Sequence, residues 1–241
     1  MATPDWAKRV VALIKWGKRE HLEKLVRGEL YLNTPEYYRI NADKSFGDKF
    51  ESCAYSYRQQ RDQIAPIFLK DGVPLSHFHP TSATLYSATD RSFYLHCWSM
   101  VSAWDDSCGL EAMVADLQKQ REQLGPCFVA LRSGNIGKLL ERIQRREPNA
   151  GCSHVEYSDN PNQQSCVCKR TQFSWQREFR FLAGECAEKH TDARRLWVGD
   201  LSDLLLFNGT LDLRNGKSHV VIDPDCSRVT QTAFWPLHPA G

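Results

Sequence analysis

Residues 173–181 read FSWQREFRF. Phe173, Trp175, Arg177, Phe179 and Phe181 fall on one parity, and Ser174, Gln176, Glu178 and Arg180 on the other. This alternation predicts a half-buried β-strand with a mainly aromatic face and a polar one. Two other stretches put functional groups on predicted strands: Lys15-Trp16 early in the chain and Cys97-Trp98-Ser99 in the middle. A carboxylate can stabilise positive charge developing beside it. An amide or hydroxyl can orient a hydrogen-bonding partner, and an ammonium meets anions as a point charge. Each group also has an ordinary use. Glu178 and Arg180 share a face and can pair on the strand surface, where such a pair is worth about 0–1 kcal/mol. A strand lysine reaches solvent and a strand serine bonds locally. Trp98 and Trp104 can stack on a ring or pack in a core.

The elements that must carry these residues follow from periodicity. VVALIKW (10–16) predicts a strand. GKREHLEKLVRG (17–28) predicts a short helix with Leu22, Leu25 and Val26 on one face and Gly28 as its stop. ELYLNT (29–34) is a second strand, and TPEYYRI a second helix with Thr34 as N-cap and Pro35 at its first position. Residues 41–92 are polar and turn-rich and predict long loops with short strands. SFYLHCWSM (92–100) and PCFVALR (126–132) read as strands flanking a helix over LEAMVADLQKQREQL (110–124). The basic run KLLERIQRR (138–146) reads as the solvated face of an amphipathic helix, given Leu139, Leu140 and Ile143. CSHVEYSD (152–159) predicts one strand, RRLWVGDLSDLLLF further strand structure, and SHVVIDP a terminal strand, with the 208–241 tail forming an edge hairpin. Strands with interspersed helices and no internal boundary indicate a single α+β domain.

With 241 residues, 41% hydrophobic and 25% charged, the chain has the composition of a globular protein. No apolar run approaches the roughly 20 residues of a membrane span, and no signal-peptide pattern opens it. Nine scattered cysteines read as free thiols in a reducing compartment, so a cytoplasmic location without membrane contact is expected. Cys152, His154, Cys166 and Cys168 offer ligand types for zinc, but their spacing departs from the usual pairs two to four residues apart, and no metal is assigned. A net charge of +2, from 31 basic and 29 acidic residues, neither demands nor excludes nucleic acid.

The order of the functional groups carries a resemblance. A basic residue on an early strand, a hydroxyl on a middle strand and Gln/Glu-x-Glu on a late one resemble the mono-ADP-ribosyltransferase arrangement. The stretches GELYLNTPEYY (28–38), FGDKFES (46–52), HCWSM (96–100) and KRTQFSWQREFRF (169–181) are similar to motifs of a broad bacterial family with that fold, over about residues 10–207. Some of its members look like phage-defence toxins.

The resemblance implies an α+β, split-sheet ADP-ribosyltransferase-like core at about 10–207 with a C-terminal β extension (208–241). It implies NAD as substrate and a nucleic acid (RNA or DNA) or protein acceptor. An effector of this toxin-like kind would need an antitoxin partner. Glu178 would stabilise the oxocarbenium-like state in which the nicotinamide–ribose bond breaks, and Gln176 would position the acceptor nucleophile. Ser99 would hold the nicotinamide ribose or the neighbouring backbone, Trp98 would meet a ring, and Lys15 would meet the NAD phosphates. Lys15 stands where the family commonly has Arg or His, and lysine lacks the bidentate fork of arginine. An NAD glycohydrolase, with water as acceptor, and a non-catalytic binding module on the same fold remain alternatives. Asp48 and Glu51 fit either a site rim or a loop cap and receive no role.

Overall fold

A computed structural model describes residues 10–42, 44, 47–62, 69–70, 73–74, 80–86, 91–103, 107–160, 163, 165–187, 189–215, 218–223 and 229–233. Strand β1 (Val10–Gly17) is apolar on both faces: Leu13 enters one core cluster, while Ala12, Ile14 and Trp16 enter another. Helix α1 (Arg19–Arg27) buries Leu22 and Leu25. Its stop is Gly28, at φ +105°, where a Cβ would lie 2.1 Å from the Gly199 carbonyl oxygen, so only glycine fits. Strand β2 (Glu29–Leu32) leads into α2 (Pro35–Ile40), whose N-cap Thr34 accepts from the Tyr37 N–H at 3.1 Å. Short strands β3 (Tyr55–Arg58), β4 (Leu69–Lys70), β5 (Val73–Pro74) and β6 (Ser82–Leu85) occupy the polar region, with β3 paired to β6 and β4 to β5.

The central strand β7 (Arg91–Ser102) precedes α3 (Ser107–Leu124), β8 (Cys127–Arg132) and α4 (Ile136–Gln144). Then come β9 (Gly151–His154), β10 (Glu156–Tyr157), β11 (Cys168–Lys169), β12 (Glu178–Ala187), β13 (Arg194–Trp197) and β14 (Leu205–Phe207). The main sheet runs β14-β8-β1-β7-β12-β9, with every neighbouring pair antiparallel. On one face, residues of α1, α4, β2 and β13 pack with Leu13, Trp98, Phe179 and Phe181. On the other, α3 packs with Ala12, Ile14, Phe128 and Ala130. The architecture is mixed α+β around one large antiparallel sheet.

Three expectations change. The segment 152–159 is not one strand: it breaks at Val155, whose N–H turns to the Glu178 carbonyl, and Glu156–Tyr157 pairs in parallel with β11 instead. The tail is not an edge hairpin. It forms its own sheet of β15 (Leu211–Asn215), β16 (Ser218–Ile222) and β17 (Val229–Ala233), and Leu211, Leu213, Val220 and Ile222 join the α3 core cluster. The strand containing SHVV is therefore the middle of that sheet and not the last strand. Trp104 lies outside the described residues.

Candidate functional site: a cleft where the sheet forks

The site begins where β1 leaves β7. Their register runs to Ile14 opposite Ser99, after which Lys15, Trp16 and Gly17 pair only with β8. Further along, Asn33 takes over the freed edge of β7, exchanging two backbone bonds with Leu95 at 2.7 and 3.0 Å. The sheet is forked, and Lys15 sits in the fork with Nζ donating to the Cys97 carbonyl at 2.5 Å. A cavity of about 240 Å³ opens there, lined by Lys15, Cys97, Ser99, Lys169, Gln176 and Glu178, among others.

FSWQREFRF is not a single strand. Thr171–Gln176 forms a 3₁₀ helix, Arg177 takes a left-handed conformation (φ 46°), and the strand begins only at Glu178. Tertiary bonds override the alternation. The Gln120 amide of α3 donates to the carbonyls of Trp175 (2.7 Å) and Gln176 (3.2 Å), and its oxygen accepts from Trp16 Nε1 at 3.1 Å. The Arg177 carbonyl accepts from the Met100 N–H at 2.6 Å. Gln176 and Glu178 still reach one cavity, but a turn brings them together and not strand alternation.

The polar parity of β12 is buried, contrary to an exposed Glu178–Arg180 pair. Arg180 has no exposed surface. Its Nε lies 2.8 Å from Glu178 Oε1, and its Nη1 and Nη2 lie 2.7 and 2.9 Å from Glu51 Oε1 and Oε2. Lys169 Nζ approaches Glu178 Oε2 at 2.7 Å, Gln176 Oε1 at 3.1 Å and Glu51 Oε2 at 3.3 Å. Two carboxylates and two cations thus share a buried cluster with balanced charge. Burial alone would raise the Glu178 carboxyl, but Arg180 and Lys169 outweigh it and hold it well below the ordinary carboxylate range. The same opposition lowers Glu51. Burial would lower Lys169, but Glu178 and Glu51 raise it, so it stays charged. The Tyr157 hydroxyl accepts from the Glu178 N–H at 2.8 Å, fixing the start of β12.

Around this cluster, Ser99 faces Glu178 directly across β7 and β12. Cys97 adds its thiol to Glu178 and lies 3.5 Å from the Tyr38 hydroxyl. Burial and the Glu178 charge push that thiol up to about 12, so it is protonated. Trp98 lines the cavity but is 2% exposed and belongs to the core. Asp48 is pushed up to about 6, by burial and by Glu51. Among the described residues, no three His, Cys, Asp or Glu side chains gather closely enough for a metal, and Cys152, His154, Cys166 and Cys168 form no such group.

Sequence reasoning left Lys169, Arg180 and Glu51 without roles. The signal lay in the quoted motifs: Glu51 is the last acidic residue of FGDKFES, Lys169 opens the late motif, and Arg180 follows Glu178 by two. Lys169 reaches the cluster from β11, whose parallel pairing with β10 alternation cannot reveal. In comparisons with known proteins, no protein-family model matches the chain, nor does any curated protein or solved structure.

Proposed function

We propose that this chain is an NAD-dependent ADP-ribosyltransferase that modifies a nucleic acid or protein. The observation that carries this reading is the convergence of Lys15, Ser99, Gln176 and Glu178 on one cavity at the fork of the sheet. The chemistry requires a carboxylate beside a ribose carbon that becomes cationic as nicotinamide departs. Glu178 is ionised and buried, and such fixed charges act most strongly where water is excluded. In this structure the Lys169 ammonium lies between Gln176 Oε1 and Glu178 Oε2. A place that holds one cation between an amide oxygen and a carboxylate suits another. Substrate entry would move the flexible Lys169 stem aside, with Arg180 left to hold Glu178 in position. Ser99, opposite Glu178, would accept or donate to a ribose hydroxyl, and Lys15 would face a phosphate. The motif resemblance supports a toxin-like effector role with an antitoxin partner.

One observation favours a second reading. Glu178 already accepts from Arg180, Lys169 and Cys97. A carboxylate so occupied also suits a binding module whose ion cluster is structural.

NAD labelled on the adenylate phosphate separates the readings. Purified protein and a Glu178→Gln variant are incubated with it and cell lysate, and aliquots are digested with RNase, DNase or protease. Macromolecular label that needs Glu178 supports the transferase, and the digestion that releases it identifies the acceptor class. NAD consumed without incorporation supports a glycohydrolase. NAD left intact by the unaltered protein supports the binding module.

A further inference from the structure

A second cavity, of about 610 Å³, adjoins the first and shares Lys15, Trp16, Asn33, Tyr37, Tyr38 and Leu124 with it. Its described wall is strongly one-signed. Lys15, Lys18, His21, Lys24 and Arg195 can be cationic there, and Glu29 is the one acidic residue among them. Glu29 lies 3.6 Å from Arg195, and Glu20 lies 3.4 Å from His21, so the three lysines keep the excess.

Two buried acceptors in the same wall have no protein partner. The His96 ring is 2% exposed and held neutral, its pKa lowered to about 3 by burial and by Lys15. Its Nδ1 lies 3.0 Å from the Tyr31 carbonyl and so carries the proton, which makes Nε2 an acceptor; that atom is unpartnered. Asn33 Oδ1, also in this wall, is buried and unpartnered as well. An unsatisfied buried acceptor costs roughly 1–3 kcal/mol, so the wall favours a ligand that brings hydroxyl or amino donors.

At the mouth stands the β2–β13 ribbon. Its inward face carries Leu30, Leu32 and Leu196, all buried, with the partly buried Arg194 opposite Leu32. Its outward face sets Tyr31 opposite Arg195 and Glu29 opposite Trp197. Tyr31 is 50% exposed and Trp197 54%. They are diagonal neighbours across the pair, about 7–8 Å apart at the backbone. Two half-exposed rings flanking an arginine do nothing for the core, yet they offer flat faces beside cations.

Phosphates for the lysines, hydroxyl or amino donors for His96 and Asn33, and unstacked bases for Tyr31 and Trp197 belong together on one kind of ligand. We propose that the ribbon and outer cavity bind a single-stranded nucleic acid and lead it toward the inner cavity. Duplex is disfavoured because its bases are stacked on each other and present no free faces. A protein strand would bring too few negative charges to match this wall. The inference rests on the transferase reading only for what happens at the inner end, since strand binding needs no NAD chemistry.

The test is fluorescence anisotropy of labelled oligouridylate and oligothymidylate of about 12 nucleotides, with a matched duplex, at about 50 and about 200 mM salt. The expected result is binding that prefers single strands and weakens with salt. Tyr31→Ala with Trp197→Ala should weaken it by at least about tenfold, and Tyr31→Phe with Trp197→Phe should restore most of it. Lys18→Gln with Lys24→Gln should flatten the salt dependence. Because all four residues are exposed, unchanged thermal melting will show that the variants are folded. Equal binding of single strand and duplex, wild-type binding by the alanine pair, or equal competition by polyglutamate would each overturn the proposal. So would complete displacement of the oligonucleotide by NAD or ADP, which would assign the outer cavity to a dinucleotide. If strands bind but NAD is never cleaved, only the transferase reading fails; if NAD is cleaved and no strand binds, this inference alone fails.

Discussion

Lys169 and Glu178 meet at 2.7 Å although they come from different sheets: Lys169 ends β11, whose strand partner is β10, and Glu178 starts β12 of the main sheet. Their contact ties the 165–170 segment to the floor of the cleft. It also balances a buried cluster in which any single deletion leaves an unpaired charge.

That balance predicts a specific pattern of stabilities. Lys169→Met leaves two buried carboxylates against Arg180 alone, and Glu51→Gln leaves two cations against Glu178. Each should cost about 3–5 kcal/mol. The double variant keeps the neutral Arg180–Glu178 pair and should lose less than the sum, with coupling of about 1–3 kcal/mol. Urea denaturation of the four proteins measures the cycle, and strict additivity would show that the charges do not share one cluster.

Gln120 is fully buried and bonds Trp16 and the carbonyls of Trp175 and Gln176. Gln120→Leu retains bulk but orphans three partners, and should cost roughly 2 kcal/mol or more. The loss should be local in character. Amide exchange over 171–177 is expected to accelerate more than exchange in the core of β7, and equal acceleration everywhere would contradict a clamping role.

The acidic groups of the site should respond to pH with opposite signs. Glu51 and Glu178 lie below their ordinary value of 4.5. Their contribution is present above that pH and lost as pH falls through the depressed values. Asp48, at about 6 against an ordinary 3.8, contributes stability below pH 3.8 that is lost as pH rises through about 6. Asp48→Asn removes the charge and keeps an oxygen for the Phe50 N–H, bonded at 2.9 Å. The melting temperature of this variant should exceed that of the unaltered protein by more at pH 8 than at pH 5. Equal margins at the two pH values would mean that Asp48 titrates normally.

Gly28→Ala confronts the Gly199 carbonyl and a positive φ together. A loss above about 2 kcal/mol is expected, measured as a fall in melting temperature. A Gly28→Ala protein as stable as its parent would mean that the α1–β2 turn and the Gly199 loop can separate freely.

The sequence was most legible where periodicity and local stop signals agree. Strand β1, α1 with Gly28, the Thr34-Pro35 start of α2, and the α3–β8–α4 run all stand near where spacing places them. It was least legible where long-range bonds decide. The aromatics of FSWQREFRF imitate a strand, but Gln120, more than 50 residues away, takes the carbonyls of Trp175 and Gln176 and turns them out of line. Val155 breaks CSHVEYSD for a similar reason, because Glu178 takes its N–H. Lys15, Ser99, Gln176 and Glu178 could be singled out by type and order, whereas Glu51 and Lys169 became visible only once the chain had brought them to Arg180.

The fork has a mechanical consequence. Along its other edge β7 is held by β12 through a long ladder, but past the Ile14–Ser99 pair the tie between β7 and β1 among the described residues is a side-chain bond, from Lys15 to Cys97. Compliance is therefore concentrated in one place. Lys15 makes its bond at the end of a flexible stem, while Cys97, Ser99 and Glu178 ride together on a stiff beam. The molecule can yield to the size of what enters without disturbing the alignment of the groups that meet it.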